Sequence, residues 1–459
     1  MRYRMPLLRL EAIQLTSDQI IIRHSLDARP FITTIHYHDV QLDTLKKRYG
    51  ARLIDAIAFH IAFFEGMKYC SLAPHIYDIT PWTCAEETIA LFKLLYQEIF
   101  AQHRWENGLA HYPGPTIVPD SAPSARMPHP IETHEPSLLV SCGGGKDSLA
   151  VMKLLERIGE PYAVTQYAHS CYGPTQPQHA LIDEMVRCCS VARQHRFSLH
   201  DTFLHQPHVL EQFPGPVTTF CAPETPCSIF ATLPILLNYG YTFLCLGHEQ
   251  GADSENFFWE EEQRFVNHQW GKSLEAEHVL NRYIQRHLLS NLHVFSILKP
   301  IYDFLIFQLL RDEQQHIRTT HSCNITKPWC KRCPKCIYVW LSTLAYLRVN
   351  LFNENLFDQQ EVQDIFFQLM GKSGHRPFEC VGEVDETRLA LYACLQQGYQ
   401  GKILDIFRQE ILPYIDIGAL LSRYNTVFSE KHAIPPRLAE PVLLQFAAVR
   451  VNEQEFLKR

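Results

Sequence analysis

The chain of 459 residues has no surplus of basic charge, no long apolar run and no internal repeat, and each absence removes a class of function. Lys and Arg number 42 against 49 Asp and Glu, a formal net charge of −7. A protein that holds nucleic acid mainly through its phosphates needs an excess of cations, so no nucleic-acid partner is expected. The most apolar long stretch, Ile229 to Leu246, is broken by Pro234, Asn238 and Gly240, whereas a membrane helix requires about 20 predominantly apolar residues. No membrane partner is expected either. Near the start, Arg9 and Glu11 interrupt any apolar core of a signal peptide. The reading is of a cytoplasmic protein, in which fifteen cysteines serve packing, metal binding or catalysis rather than disulfides. Without repeats, a solenoid is excluded.

What is present is a globular composition, 46% hydrophobic and 20% charged, with length for two or three domains at roughly 150 residues each. Residues 112–136 carry Pro113, Pro115, Pro119, Pro123, Pro128, Pro130 and Pro136. Neither a helix nor a central strand tolerates proline at that density, so this is a linker or an extended surface crossing. Before it, residues 1–111 mix a strand-like stretch, Arg29 to Tyr37, with helical ones, Tyr49 to Tyr69 and Ala85 to Ala101, as an N-terminal α+β unit. After it, strand Ser137 to Val140, helix Ser148 to Gly159 and strand Tyr162 to Gln166 form a βαβ unit. A helix near Gln178 to His195, a strand at Arg196 to Thr202, a helix near Ser228 to Leu237 and an apolar strand at Tyr241 to Leu246 continue it. The fold class is therefore α/β, a parallel sheet with flanking helices over residues 137–307. From about Gln308 to the end, residues 308–459, the pattern is helical.

Between the first strand and helix of that unit stands Ser141-Cys-Gly-Gly-Gly-Lys-Asp-Ser148. Glycines let the backbone turn tightly and aim its N–H groups inward, and a helix N-terminus adds positive potential, so phosphate oxygens suit this place. Gly143, Gly144 and Gly145 would form the cradle, Lys146 would supply a mobile positive charge, and Asp147 and Ser148 would open the helix. The spacing is not that of a Walker A loop.

Three further clusters carry chemistry. Cys323, Cys330, Cys333 and Cys336 make C-x6-C-x2-C-x2-C with Lys331, Arg332 and Lys335 interleaved. Four thiolates in so short a segment suit a structural Zn²⁺, with an iron–sulfur cluster as the alternative. After the apolar strand ending at Leu246 comes a polar segment with His248, Glu249, Asn267, His268 and Lys272, at the strand end where a parallel sheet binds ligands. Pro377-Phe-Glu-Cys-Val-Gly-Glu383 places Glu379, Cys380 and Glu383 within five positions, as a loop able to reach a distant site. Cys70, Cys84, Cys188, Cys189, Cys245 and Cys394 read as buried small residues.

Gly144-Gly-Lys-Asp-Ser148 resembles the Ser-Gly-Gly-x-Asp-Ser signature of the PP-loop ATP pyrophosphatases, with Gly143 in place of the leading serine. The wider set is similar to the MurL family. It comprises that loop, Asn267-His-Gln-Trp-Gly-Lys-Ser273, Ser322-Cys-Asn324, Trp329-Cys330, Cys333-Pro-Lys-Cys336 and Pro377 to Glu383. The resemblance implies an adenine nucleotide alpha hydrolase-like fold and ATP with Mg²⁺ bound through Gly143 to Ser148, Asn267 and Lys272. It further implies epimerisation of the terminal L-glutamate of UDP-N-acetylmuramoyl-L-alanyl-L-glutamate, with release of AMP and pyrophosphate, in peptidoglycan precursor synthesis. Cys380, Glu379, Glu383 and His268, in that order, would be the acid/base groups. The competing expectations are a ligase acting on another carboxylate, like 7-cyano-7-deazaguanine synthase, a tRNA-modifying enzyme of the same superfamily, and a non-catalytic nucleotide sensor.

Overall fold

In the computed structural model, residues 6–120, 127–135, 137–206, 223–374 and 376–457 are described. Besides a two-stranded ribbon of β10 (Phe257–Trp259) and β11 (Arg264–Val266), the chain builds one ten-stranded sheet. Its parallel half uses β6 (Leu138–Cys142), β7 (Ala163–His169), β8 (Arg193–Asp201), β9 (Phe243–Leu246) and β12 (His293–Ser296). Their spatial order is β12-β9-β6-β7-β8. The first strand thus lies between the second and the fourth, and the connections leave β6 and β9 towards opposite sides. Such a switch point opens a crevice beyond the carboxyl ends of the two strands, where open α/β sheets take their ligands. Gly143 follows β6 and Gly247 follows β9, so both clusters after these strands face that crevice.

These strands are buried on both faces. Leu138, Val140 and Cys142 of β6 join one core and Leu139 the other; Val164 and Ala163 of β7 divide in the same way. That alternation is the period of two expected of a strand between helical layers. On one side lie helices Ala51–Glu65, Glu224–Tyr239 and Leu274–His287. On the other lie helix Lys146–Arg157, which buries Leu149, Met152, Leu154 and Leu155 against the sheet, and the C-terminal helices.

The other half of the sheet is N-terminal. β1 (Leu7–Leu15), β2 (Gln19–Leu26) and β3 (Arg29–Tyr37) form an antiparallel meander, and β4 (Ile76–Asp78) and β5 (Thr116–Val118) add to its outer edge in parallel. β3 pairs antiparallel with β8, Thr33 opposite Asp201 and Tyr37 opposite Phe197. One sheet therefore continues across the composition boundary that separates residues 1–111 from the rest. The proline-rich segment is an extended crossing that contributes β5 and bonds to the protein along its way. His129 donates to the Leu288 carbonyl at 2.8 Å, and His134 to that of Gly240 at 3.1 Å. Residues 121–126 and 136 of that segment lie outside the described residues.

Two boundaries differ from the sequence expectation. The helix expected to reach His195 is Thr175–Val186, closed by a turn in which Cys188 and Cys189 donate to the Met185 and Val186 carbonyls, and both cysteines are half-buried. Cys70, Cys84, Cys245 and Cys394 are buried as expected. The C-terminal region is helical from Asp303 but opens between Leu310 and Cys333 into the loop that carries the cysteine cluster. No helix among the described residues is long and apolar enough to cross a membrane.

The junction of β3 and β8 is fixed by buried charge. Lys68 donates to Thr33 Oγ1 and Glu65 Oε2, each at 2.9 Å, and to Asp201. All three ionised groups are buried. Burial opposes the charged form of Lys68, yet Asp201 and Glu65 outweigh it and raise its pKa. Removing the cation leaves two carboxylates buried without a partner, which costs about 3–5 kcal/mol. Lys68→Ala is expected to lose that much stability in urea unfolding, and a loss under about 1 kcal/mol contradicts this role.

Candidate functional site

The glycine loop leaves β6 and enters helix Lys146–Arg157 at Gly145, which stands at its N-cap. Gly144 has φ +82°, a conformation that L side chains rarely adopt, and a Cβ there would land on the ring of His321. The His321 N–H donates to the Gly144 carbonyl at 2.8 Å, and Lys146 N donates to Ser322 Oγ at 3.4 Å. The segment just before the cysteine cluster thus lies directly on the loop. His321 is held neutral, its pKa pushed down to about 3 by burial and by Lys327, with the Thr319 carbonyl opposing. The Gly144 N–H and the Ser148 hydroxyl both bear on the Cys142 thiol, whose pKa burial raises to about 11.

Lys146 corrects an expectation. It is not a mobile cation: its side chain is 1% exposed and its Nζ lies 2.5 Å from both Asp147 and Asp303. The reason is the register of the helix, which begins at Lys146 itself, so the side chain turns under the loop towards Asp303 at the start of helix Asp303–Leu309. Burial opposes its charge, and the two carboxylates outweigh burial and raise its pKa. Burial likewise pushes the Asp147 carboxyl up, but Lys146, Lys335 and Lys272 together hold it below the ordinary value.

The polar segment after β9 meets the glycine loop where Gly247 closes on Asp147 and Val151; a Cβ at Gly247 would stand 3.3 Å from each. Lys299 straps this segment by donating to the Glu249 carbonyl at 3.0 Å, Asp253 Oδ1 at 3.1 Å and the Lys272 carbonyl at 3.0 Å. Asn267 spends its amide on backbone, donating to the Ala252 carbonyl and accepting from Gln269 N, each at 2.8 Å. It thereby shapes the turn. His268 has both ring nitrogens engaged, with Asn256 Oδ1 at 2.7 Å and the Glu379 carbonyl at 3.0 Å. Burial, then Arg376 and Lys272, holds its pKa well below the ordinary value.

That second bond brings in the loop at 377–383. Lys272 Nζ donates to Cys380 Sγ at 2.7 Å, a direct contact of ammonium and sulfur. Burial opposes the charge of Lys272, and Cys380, Glu224 and Asp147 raise its pKa against it. Lys335 donates to the Cys380 carbonyl, and Asn324 donates to Glu379 Oε2. Burial raises the Glu379 carboxyl above its ordinary value, with Asn324 and Lys335 opposing. Glu383 has a different occupation. It caps helix Val384–Gln396 in a reciprocal box with Glu386, and its carboxylate accepts from Ser254 at 2.5 Å, Arg423 at 2.6 Å and Tyr424 at 2.7 Å. Its carboxylate is thus engaged by three side chains.

The cysteine cluster closes as the spacing suggests. The four sulfurs lie within 4.8 Å of one another, Cys323 to Cys333 at 3.9 Å and Cys330 to Cys336 at 3.8 Å. A tetrahedral ion with metal–sulfur bonds of about 2.3 Å sets its ligands roughly 3.8 Å apart. The set fits one four-coordinate ion. Ile325 and Thr326 donate to Cys323 Sγ, and Cys336 N to Cys333 Sγ, each at 3.4 Å, which stabilises thiolates.

Beside Gly143 opens a cavity of about 200 Å³, walled in part by Tyr167, Tyr172, Glu224, His321 and Lys327. Tyr172 donates to Glu224 Oε2 at 2.7 Å, and burial raises the Glu224 carboxyl. His321, Asn324, Lys335 and Glu224 went unnoticed as site residues in the sequence. Lys335 and Asn324 carried one usable signal, their places within or next to the cysteine motif.

Comparison with known proteins bears on most of the chain. The MurL N-terminal domain profile matches residues 5–184 and 223–297, and the MurL C-terminal domain profile matches residues 316–411. Three relatives carry the name UDP-N-acetyl-alpha-D-muramoyl-L-alanyl-L-glutamate epimerase. The protein from Xanthomonas oryzae pv. oryzae is 26% identical over 410 residues, covering 83% of this chain and 84% of its own. That from Micromonospora sp. is 26% identical over 355 residues, 72% and 73% of the two chains. That from Salinispora tropica is 26% identical over 345 residues, 70% and 69%.

Two measurements follow from this geometry. Metal analysis of the purified chain is expected to find about one four-coordinate ion per chain, lost in Cys333→Ser; a metal-free wild type or a multi-iron stoichiometry contradicts the geometry. Burial, then Asp303, raises the Glu249 carboxyl from 4.5 to about 8. In that interval the folded chain holds a proton that the unfolded chain has released, so this contribution to stability is lost as pH rises from about 4.5 to about 8. Glu249→Gln is expected to flatten the fall in unfolding free energy over that window, and parallel curves for variant and wild type contradict the shift.

Proposed function

Because the chain belongs to the MurL family, we propose that it is an ATP-dependent epimerase of the terminal L-glutamate of UDP-N-acetylmuramoyl-L-alanyl-L-glutamate, acting in the cytoplasm on a peptidoglycan precursor. One observation supports this reading above the others. A glycine loop suited to phosphates and a loop bearing Cys380 and Glu379 meet across a single crevice, joined by Lys272 and Lys335.

The chemistry accounts for both halves. The proton on a glutamyl α-carbon is held tightly while the adjacent carboxylate is an anion, because its removal would place two negative charges side by side. In our reading an oxygen of that carboxylate attacks the α-phosphorus of ATP, the bond to the β-phosphate oxygen breaks, and pyrophosphate leaves. The resulting acyl adenylate has a neutral carbonyl that delocalises the carbanion. The α-proton is then removed on one face and a proton returned on the other, and water releases AMP and restores the carboxylate. Configuration is inverted and mass unchanged.

The roles divide as follows. Gly143, Gly144, Gly145 and Ser148 receive the phosphates through backbone N–H groups and the helix terminus. Lys146 acts from beneath by fixing Asp147. Mg²⁺ would screen the nucleotide charge, with Asp147 the nearest carboxylate to the loop. Cys380, coupled to Lys272, and Glu379, whose carboxyl is biased towards its protonated form, are the two acid/base groups. His268 holds the backbone of their loop, and Glu383 anchors its far end. The PP-loop relationship of the fold and the division at 137–307 and 308–459 belong to the same proposal. Zn²⁺, held by Cys323, Cys330, Cys333 and Cys336, would fix the segment that spans both loops.

The test is direct. Incubation with ATP, Mg²⁺ and the L-alanyl-L-glutamate muramoyl nucleotide, followed by chiral amino-acid analysis of the hydrolysate, is expected to yield D-glutamate at unchanged mass. Incorporation of ammonia would instead support a synthetase. In D₂O, Cys380→Ala is expected to lose exchange of the α-proton while still releasing pyrophosphate. Full exchange in that variant removes Cys380 from the reaction.

A further inference from the structure

One buried side chain against the glycine loop takes no part in the steps of the reaction. His321 is 1% exposed, and its ring covers Gly144 where a Cβ would otherwise fit. Both ring nitrogens are buried; the Thr319 carbonyl bears on the ring, and no hydrogen bond of ordinary geometry satisfies either nitrogen among the described residues. Leaving a buried polar atom unsatisfied is destabilising, and such atoms in folded proteins mark places completed by something else. His321 walls the cavity beside Gly143. The same wall holds Lys327, whose Nζ donates to the His321 carbonyl at 3.3 Å. The loop, the start of a helix of 12 residues and a lysine converge here. An anion with several acceptor oxygens matches that set, and an apolar ligand does not.

We propose that His321 is a ligand-contacting residue, its imidazole N–H donating to a phosphate oxygen of the nucleotide seated in the glycine loop. This deepens, and rests on, the reading of that loop as an ATP site. It also explains why the contact comes from the residue before Ser322. The backbone bond from His321 to Gly144 and the bond from Lys146 N to Ser322 Oγ hold this segment at a fixed height over the loop before any ligand arrives.

The test uses the full chain and two probes, inorganic pyrophosphate and a non-hydrolysable ATP analogue, in isothermal titration. His321→Phe keeps a ring over Gly144 but removes both nitrogens. It is expected to weaken both probes by about tenfold or more, the usual worth of a hydrogen bond to a charged group, with an unchanged melting temperature. His321→Gln, which restores an N–H donor, is expected to recover part of that loss, which a purely structural role would not produce. Equal affinity in wild type and His321→Phe overturns the proposal. Failure of the wild type to bind either probe overturns the underlying loop reading, a distinct result. A structure with pyrophosphate bound gives a check that needs no variant. A ring nitrogen within about 3.2 Å of a phosphate oxygen is expected, and a phosphate in the loop with both nitrogens turned away overturns the assignment.

Discussion

The N–H of His321 donates to the carbonyl of Gly144, and Lys146 N to Ser322 Oγ one residue on. These bonds tie the crevice of the sheet to a segment almost two hundred residues downstream. That segment carries the four cysteines, and its other contacts run the opposite way, from Asn324 to Glu379 and from Lys335 to the Cys380 carbonyl. The cysteine loop therefore grips the glycine loop on one side and the loop at 377–383 on the other. An ion held by the four cysteines would cross-link this segment, which has little regular helix or strand, and so keep its two partners in register.

Charge is arranged on the same plan. Lys146, Lys299 and Lys335 are buried, and each is matched to carboxylates or carbonyl oxygens around the crevice. Breaking such a pair is costly while forming it gains little net stability, so the cluster is better understood as a fixed field than as a source of stability. A crevice of oriented lysines and helix ends, arranged before ligand arrives, is the setting in which developing negative charge is stabilised without reorganisation.

Much of this was legible in the sequence because the chemistry was local. Three consecutive glycines between an apolar strand and an amphipathic helix define a turn and a helix end whatever surrounds them. Four cysteines in fourteen residues define a metal-sized cage. The loop at 377–383 was visible through Pro377 and Gly382. What escaped depended on distant contacts. The antiparallel junction of β3 with β8 joins residues some 160 apart, and nothing in either strand names its neighbour. Lys146 read as a free phosphate ligand because Asp303, which captures it, lies 157 residues away. His321 and Lys335 are single polar residues whose meaning comes from what they touch. Glu383 is the exception, since Glu383-Val-Asp-Glu386 before an apolar run is a helix-capping pattern. Its place at the start of a helix could have been read from spacing; its bonds from Ser254, Arg423 and Tyr424 could not.

The central claim is that this crevice presents the α-phosphorus of a triphosphate to a substrate oxygen. The most direct measurement follows ATP labelled at the α-phosphate during turnover with the muramoyl dipeptide nucleotide. The account predicts labelled AMP, formed only with substrate present and matched by pyrophosphate. Labelled ADP with orthophosphate would contradict it.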